Sequence, residues 1–453
     1  MKIGRRKFLW QVAASGALAA FSPRFGHALP ARKPNFVVIV CDDLGFGDVG
    51  AFGGTLIPTP NIDQLAREGT RLTSFYSSAN LCTPSRAGLL TGRYAIRMGL
   101  AYEVIVPSDK HGLPLSEITI AKALKPDYAT ALIGKWHLGH VAPYWPPTNY
   151  GFDLFFGLPY SHDMKPLSLY ESNPPGVELT REDVDFPKLQ QRFYQRAEGF
   201  IEQNRQRPFL LELWLSAPHL PEYPHPPFTR TTQAGPYGDV VAEIDSIVGQ
   251  LIKKLKALGL ERDTLVIFTS DNGPWFEGSA GHFRDRKGGG AWDGGFRVPF
   301  IARQPERIPA GKTANAIAMG IDLLPTLCHM AGKPIPNDRA LDGRDITPVL
   351  ESNAASPHDE LLLFDNEDLF GIRTQRWKYV TSSYFRGRYE SFYVRGYKEL
   401  FDMDTDPEEN YSVAARHPDV VADMERRLQK ANELFAPMKK HKRVPFGGAE
   451  VRD

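Results

Sequence analysis

Four stretches of the chain are continuous runs of apolar, largely β-branched residues. They are Asn35 to Cys41, Tyr128 to Ile133, Pro208 to Leu215 and Thr264 to Thr269. Such runs predict strands that are buried on both faces, as in a parallel sheet. Segments with helical spacing lie between them, at Ile62 to Glu68, Ile118 to Leu124 and Val240 to Leu258. This alternation predicts an α/β fold, with one large, mostly parallel sheet sandwiched by helices.

The pattern changes after about residue 350. Ile372 to Val380 alternates and carries many charged and aromatic residues, Leu400 to Asp402 resembles a short strand, and Pro418 to Leu434 has amphipathic helical spacing. We therefore expect a main domain at residues 34–350 and a smaller C-terminal α+β subdomain at residues 351–445.

The N-terminal segment is typical of a twin-arginine export signal. Gly4 to Leu9 (GRRKFL) precedes a modest apolar run from Trp10 to Phe21. That run is shorter than the roughly 20 residues that span a bilayer, which argues against a membrane anchor. We expect residues 1–28 to be a signal peptide, read by the twin-arginine export machinery, and the protein to be periplasmic or secreted without stable membrane association.

Composition and charge limit the partners. Hydrophobic residues make up 42% and charged residues 24%, as in folded soluble proteins. Lys and Arg total 54 against 53 Asp and Glu, so a net charge of +1 gives no long-range attraction towards nucleic acid. Any anion must therefore be bound by a few charged groups gathered at one site. Three cysteines, Cys41, Cys82 and Cys328, are too few for a disulfide scaffold, so cross-linking does not explain Cys82.

Cys82 opens a segment that reads Cys-Thr-Pro-Ser-Arg and continues to Gly92 and Arg93. A lone cysteine is often a buried hydrophobic residue without a chemical role. Here, however, Pro84 suits the first turn of a helix, whose free amides would point back at Cys82 and create an anion site. Arg86 adds a positive charge one turn further along. The segment therefore favours chemistry on an anion.

Acidic residues follow two of the predicted strands. Asp42 and Asp43 come after the first, and Asp271 and Asn272 come after the run that ends at Thr269. The carboxyl ends of parallel strands meet at one sheet edge, where clustered acids repel each other unless a cation lies between them. Oxygen ligands suit Ca²⁺, with Mg²⁺ possible. The alternative is a pair of solvated turns, since these residue types are common turn formers.

Further candidates stand after the other strands. Lys135 and His137 lie within Gly134 to Gly139, where a nearby cation would lower the pKa of the imidazole and leave it able to accept a proton. His219 is a candidate to contact a leaving-group oxygen, and Lys287, in a glycine-rich loop, is a candidate anion clamp. The alternatives are a core-packed histidine, a loop histidine without a role and a solvated lysine.

These motifs, in this order, resemble type I sulfatases of the arylsulfatase A and N-acetylgalactosamine-6-sulfatase kind, in the alkaline phosphatase superfamily. The resemblance runs from about Pro34 to Asn410, and one departure is Asp293, where relatives usually carry Glu. It implies an alkaline phosphatase-like fold and conversion of Cys82 to formylglycine by a formylglycine-generating or equivalent maturation enzyme. It also implies bound calcium, with the ligands Asp42, Asp43, Cys82, Asp271 and Asn272.

The resemblance further implies hydrolysis of aryl or carbohydrate sulfate monoesters to an alcohol and inorganic sulfate. One hydroxyl of the formylglycine hydrate would attack sulfur while Arg86 and Lys135 hold the hydrate. His219 and Lys287 would protonate the departing alcohol or bind the sulfate oxygens. His137 would then take the proton of the second hydroxyl, so that sulfate leaves.

His162, within Tyr160 to Asp163, is expected to bind the alcohol part of the substrate, which is a sulfated small molecule or sugar.

Two other functions are open at this point. The first is a phosphomonoesterase or phosphonate monoester hydrolase of the same superfamily. Those phosphatases usually keep Ser or Thr as nucleophile and bind a pair of zinc ions, whereas this chain has Cys82. The second is a non-catalytic protein that binds sulfated glycans with an unconverted Cys82. Pure binding would not need His137 and a metal site together, which favours an enzyme.

Overall fold

The computed structural model describes residues 33–173, 179–385, 388–391 and 398–441. The export signal predicted at residues 1–28 lies outside these ranges. Within them, no helix combines the length and the apolar character needed to cross a bilayer.

The strands of the described residues are β1 Asn35–Asp42, β2 Thr70–Leu72, β3 Phe75–Tyr76, β4 Ala129–Lys135, β5 Leu154–Leu158, β6 Leu169–Ser172, β7 Thr180–Glu182, β8 Phe209–Pro218, β9 Thr264–Ser270, β10 Phe300–Arg303, β11 Lys312–Ala314, β12 Ala318–Met319, β13 Leu361–Asp365, β14 Asp368–Arg373, β15 Trp377–Val380, β16 Ser382–Phe385, β17 Arg388–Ser391 and β18 Glu399–Asp402. The α-helices are α1 Pro60–Arg67, α2 Cys82–Thr91, α3 Ile120–Leu124, α4 Leu189–Asn204, α5 Gly235–Ala257, α6 Asp293–Phe296, α7 Leu323–Met330, α8 Thr347–Ser352 and α9 Pro418–Phe435.

Strand β1 lies in the middle of the large sheet and is buried along its whole length. Its alternate side chains enter two different hydrophobic cores: Phe36, Val38 and Val40 pack on one face of the sheet, and Val37, Ile39 and Cys41 on the other. Burial on both faces explains why the sequence shows an unbroken apolar run here instead of alternation.

The large sheet has the strand order β11-β2-β10-β9-β1-β8-β4-β5-β6-β7. Its five central strands, from β9 to β5, are parallel, whereas β10, β6 and β7 are antiparallel to their neighbours. Helices α1, α4 and α5 contribute to the core on one face, and α2, α3 and α7 to the core on the other. The predicted α/β sandwich with a mostly parallel sheet is confirmed.

The C-terminal part contains an antiparallel sheet of order β13-β14-β15-β18, with helix α9 packed against β14. This confirms the smaller C-terminal α+β subdomain. The segment from Ile372 to Val380, predicted as one alternating stretch, is two strands joined by a turn, with Ile372 opposite Tyr379. The domain boundary near residue 350 stays a prediction, because one hydrophobic core contains both Leu350 and Leu361.

Candidate active site

The carboxyl ends of the central strands bring the candidates together at one edge of the sheet. β1 ends at Asp42 and β4 ends at Lys135, while His219 and Asp271 directly follow β8 and β9. Because these strands are parallel neighbours, residues more than 200 positions apart come into contact: Asp43 N donates to Asp271 Oδ1 at 3.2 Å.

Cys82 is the first residue of helix α2, and Leu81 before it is extended. The free amides of the first helical turn therefore lie at Cys82, as an anion site requires. Its Sγ lies 3.5 Å from Asp42 Oδ1 and 3.1 Å from Lys287 Nζ. Burial raises the pKa of the Cys82 thiol, despite the nearby charges of Lys135 and Lys287. An unmodified Cys82 would thus stay protonated and be a poor nucleophile.

The predicted metal ligands form a buried acidic cluster. One potential ligand atom from each of Asp42, Asp43, Cys82 and Asp271 lies within 4.8 Å of all the others. All four residues are at most 2% exposed. Three carboxyl groups buried this closely need positive charge nearby, because each charged carboxylate loses its hydration.

Two buried oxygens next to this cluster lack a partner among the described residues: Asp43 Oδ1 and Asn272 Oδ1. The amide nitrogen of Asn272 donates to Ala79 O at 3.0 Å and to Ser85 Oγ at 2.9 Å, which fixes the orientation of the carboxamide. Buried polar atoms are rarely left unpaired, and oxygen is the ligand that hard cations prefer. These residues therefore fit a Ca²⁺ or Mg²⁺ ion.

Arg86 and Lys135 are fully buried against the acidic cluster. Arg86 donates from Nε to Asp271 Oδ2 at 2.8 Å and from Nη2 to Asp42 Oδ1 at 3.3 Å. Lys135 Nζ lies 2.9 and 2.7 Å from the two oxygens of Asp42. Burial would raise the pKa of Asp42, but the surrounding cations, Lys135 foremost, hold it well below its ordinary value. Asp42 is therefore ionised.

Lys287 completes the charge balance of the site. Its Nζ lies 2.6 Å from Asp43 Oδ2. The three acids Asp42, Asp43 and Asp271 thus face the three cations Arg86, Lys135 and Lys287. A divalent cation would add two positive charges to this balanced set. The loaded site would attract an anionic substrate although the whole chain is nearly neutral.

His137 is held so that one ring nitrogen is left free. Its Nε2 lies 2.9 Å from Ile105 O and must donate to it, while Nδ1 has no partner among the described residues. Burial, and then the charge of Lys135, lowers the pKa of His137 well below its ordinary value. Thr83 Oγ1 donates to His137 O at 2.9 Å and accepts from Ile105 N at 3.1 Å. Sequence reasoning missed this role for Thr83, although the residue stands next to Cys82.

The rings of His219 and His162 make an edge-to-face contact, with centroids 5.7 Å apart. His219 Nδ1 donates to Leu220 O at 2.6 Å, and its Nε2 faces Asp43 Oδ2 at 3.6 Å. His162 Nε2 donates to Pro221 O at 3.0 Å, and burial lowers the pKa of His162 to about 4. The structure thus places His162 beside the acidic cluster as a neutral, almost fully buried side chain.

Comparison with known proteins identifies the family. The Sulfatase family profile matches residues 34–333, and a profile described as N-sulphoglucosamine sulphohydrolase, C-terminal, matches residues 281–434. Arylsulfatase A from Homo sapiens is 37% identical over 471 aligned residues, which cover 93% of this chain and 91% of that protein. Arylsulfatase G from Mus musculus is 35% identical over 435 residues, covering 84% of this chain and 80% of that protein.

Solved structures agree with this result. The PsFucS1 sulfatase from Pseudoalteromonas sp. has a TM-score of 0.82 and 30% identity, covering 91% of this chain and 92% of that one. Ps i-CgsB in complex with k-i-k-neocarrahexaose has a TM-score of 0.76 and 28% identity, covering 88% and 93%. These relatives favour sulfate ester hydrolysis over the phosphatase and glycan-binding alternatives. The chain belongs to the sulfatase family and is a sulfuric ester hydrolase.

Proposed function

We propose that this sulfatase hydrolyses carbohydrate sulfate monoesters with Cys82 converted to formylglycine and with Ca²⁺, or Mg²⁺, as its metal. Asp42, Asp43, Asp271, Asn272 and the modified Cys82 side chain would hold the ion. The observation that carries the proposal is a pair of buried oxygens, Asp43 Oδ1 and Asn272 Oδ1, which have no partner within the described part of the chain and lie beside a cluster that includes Cys82. The raised pKa of the Cys82 thiol supports the modification, since the unmodified side chain is a poor nucleophile there.

The two groups that the chain would acquire have distinct tasks: the metal ion supplies positive charge to the reacting anion, and the formylglycine hydrate supplies an oxygen nucleophile. Arg86 and Lys135 support both tasks indirectly. Their hydrogen bonds to Asp42 and Asp271 fix those carboxylates in the orientation that a metal ligand needs.

His137 would accept a proton at Nδ1. Its other ring nitrogen donates to Ile105 O, so the lone pair of a neutral ring is on Nδ1. The lowered pKa of His137 keeps the ring neutral before the transfer. The residue also has a positive φ of 60°, a conformation rare outside glycine and asparagine, which is typical of side chains held for a function.

His219 would act on the departing alcohol as an imidazolium, which carries protons on both ring nitrogens and delivers the one on Nε2. Burial lowers the pKa of His219, and the charge of Asp42 opposes that shift. His219 Nδ1 is engaged with Leu220 O, so Nε2, beside Asp43, is the nitrogen open to the site. Lys287 would bind the sulfate oxygens, because its Nζ lies 3.1 Å from the Cys82 side chain that would carry the nucleophile.

The carbohydrate substrate class rests on the relatives. Ps i-CgsB, 28% identical, is described in complex with k-i-k-neocarrahexaose. A second structure with 26% identity and a TM-score of 0.79 is described in connection with the metabolism of multiple glycosaminoglycans. His162 is the residue we assign to the alcohol part of the substrate, since it lies next to His219.

Maturation and export complete the proposal. The Cys82-Thr83-Pro84-Ser85-Arg86 segment would be the recognition site of a formylglycine-generating or equivalent enzyme, acting before the folded chain leaves through the twin-arginine machinery for the periplasm or the medium. Replacement of Arg5 and Arg6 by Lys, with fractionation of the host cells, tests the export step. Unchanged export of that variant would contradict it.

The catalytic proposal is tested with Cys82→Ser, produced without a maturation enzyme and assayed for sulfate release from 4-nitrophenyl sulfate. Serine carries one hydroxyl and can accept sulfate, but it lacks the second hydroxyl whose proton His137 would remove. We expect at most one turnover per enzyme molecule. Sustained turnover by this variant would contradict the proposal.

The metal site is tested by calorimetric titration of the chelator-treated protein with CaCl₂. Asp43→Asn should weaken calcium binding by about tenfold or more, since it removes one charged ligand of a divalent ion. Asp404→Asn, at an exposed carboxylate, is the matched control. Equal affinities of the two variants would argue against this ligand set.

A further inference from the structure

A line of aromatic rings leads from the active site to the protein surface. His219 neighbours His162 at a ring-centroid distance of 5.7 Å, and His162 neighbours Tyr223 at 6.0 Å. The two ends of this line are more exposed than its middle: the His219 side chain is 13% exposed and Tyr223 is 37% exposed, whereas His162 between them is 4% exposed. Tyr223 is therefore a surface aromatic that lies two ring contacts from the histidine assigned to the leaving group.

The ring of Tyr223 is supported from behind. It stacks on Phe186 with centroids 4.6 Å apart and an interplanar angle of 27°. The ammonium of Lys165 lies 4.7 Å from the centroid of Phe186. A cation over an aromatic ring is attractive, so Lys165, Phe186 and Tyr223 form a stacked column. The column holds Tyr223 in a defined orientation while leaving part of its ring open to solvent.

The loop that carries Tyr223 is also restrained. Prolines stand at positions 221, 224, 226 and 227, and each fixes one backbone torsion. His225 N donates to Glu243 Oε2 at 2.9 Å, and His225 Nδ1 donates to Pro187 O at 3.1 Å. The loop is thus tied both to helix α5 and to the segment that carries Phe186. A rigid aromatic side chain binds a ligand with little loss of conformational entropy.

We propose that Tyr223 binds the sugar ring adjacent to the one that carries the scissile sulfate, so that this enzyme prefers sulfated oligosaccharides to sulfated monosaccharides. This inference rests on the proposed function, in which His219 marks the position of the leaving oxygen of a carbohydrate sulfate. The sugar ring that bears this oxygen would lie next to His219 and His162. Tyr223, which contacts His162, would then lie next to the adjacent sugar ring. The apolar C–H face of a pyranose packs on an aromatic ring while its hydroxyls stay in water.

The test compares kcat/KM for 4-nitrophenyl sulfate and for sulfated mono- and tetrasaccharides of galactan and glycosaminoglycan type. Tyr223→Ala should lower kcat/KM for the preferred tetrasaccharide by about three- to tenfold, mainly through KM, because it removes one stacking contact. Its kcat/KM for 4-nitrophenyl sulfate and for the monosaccharides should equal that of the wild type. Tyr223→Phe should retain the tetrasaccharide activity, and Tyr411→Ala, at an exposed tyrosine of the C-terminal part, is the matched control.

Two results would overturn the inference: a wild-type enzyme that does not prefer the tetrasaccharides, or a Tyr223→Ala variant whose loss is the same for every substrate. A wild-type enzyme that releases sulfate from 4-nitrophenyl sulfate but from no carbohydrate would refute the carbohydrate substrate class itself. The two failures are therefore distinguishable. Thermal unfolding of each variant, expected at the wild-type temperature, separates a binding effect from a folding effect.

Discussion

Replacement of Lys378 by methionine tests a buried ion cluster that connects the C-terminal sheet to the loop carrying Lys287. Lys378 lies on β15 and is fully buried, and its Nζ is 2.6 Å from Asp293 Oδ1 and 2.6 Å from Glu409 Oε1. Methionine has a similar length but no charge. The change therefore removes the ammonium from two buried carboxyl groups with little change in packing.

The size of the stability loss in Lys378→Met follows from the polar contacts that Asp293 and Glu409 keep. Asp293 keeps Arg297 at 3.2 Å and the hydroxyl of Tyr76 at 3.1 Å. Among the contacts shown for the described residues, the carboxyl group of Glu409 keeps only the backbone N–H of Asp293, at 2.8 Å. Burial already raises the pKa of Glu409 to about 7 against the opposing charge of Lys378, so Glu409 should take up a proton in the variant. Breaking a buried ion pair by removing one partner costs about 3–5 kcal/mol.

The assay is urea unfolding at pH 7, followed by tryptophan fluorescence and circular dichroism. Lys398→Met is the matched control, because Lys398 is exposed and pairs with Glu425 at 3.0 Å; its loss should stay below about 1 kcal/mol. Lys378→Met with Glu409→Gln should be more stable than Lys378→Met alone, since one uncompensated carboxyl group is gone. A loss in Lys378→Met no larger than in the control would refute this reasoning.

Two further predictions concern a buried carboxyl group of the central sheet, Glu212, and a buried hydroxyl group that binds His137 O, that of Thr83. Burial raises the pKa of Glu212 from 4.5 to about 8. Between these pH values the folded protein keeps a proton that the unfolded chain releases. The free energy of unfolding should therefore fall as the pH rises, by up to about 1.4 kcal/mol per pH unit. Glu212→Gln should make the loss of stability between pH 5 and pH 8, measured by urea unfolding, smaller than in the wild type, because the Glu212 contribution is removed. Glu433→Gln, at an exposed position, should keep the wild-type loss, and an unchanged loss in Glu212→Gln would argue against the raised pKa. Thr83→Val removes the hydrogen bonds of the hydroxyl to His137 O and from Ile105 N. We expect kcat to fall by about ten- to a hundredfold with little change in KM, and Thr83→Ser to recover kcat. A wild-type kcat in the valine variant would show that Thr83 does not position His137.

The central sheet was predictable because its strands are buried on both faces. β1, β4, β8 and β9 each lie within a few residues of the predicted apolar runs. Because the carboxyl ends of parallel strands lie at one edge of a sheet, the sequence also indicated which polar residues would meet. That edge carries Asp42, Lys135, His219 and Asp271. A strong local pattern together with a general topological rule was sufficient for this part of the site.

Other features depend on contacts that no local pattern shows. Lys378 pairs with Asp293 across 85 positions, and nothing in either neighbourhood of the sequence indicates the partner. The turn between β14 and β15 consists of Thr374, Gln375 and Arg376, which include neither Gly nor Pro, so the alternation appeared to continue through it. For His137 the sequence indicated the charge of Lys135, but the larger cause of its lowered pKa is burial, which only the folded chain shows.

The most direct measurement is peptide mass spectrometry across Cys82 on purified enzyme whose sulfate release has been measured in the same preparation. We expect the peptide of the active enzyme to have lost the cysteine sulfur and gained an aldehyde, in proportion to activity. A fully active preparation in which that peptide carries an intact thiol would contradict the account.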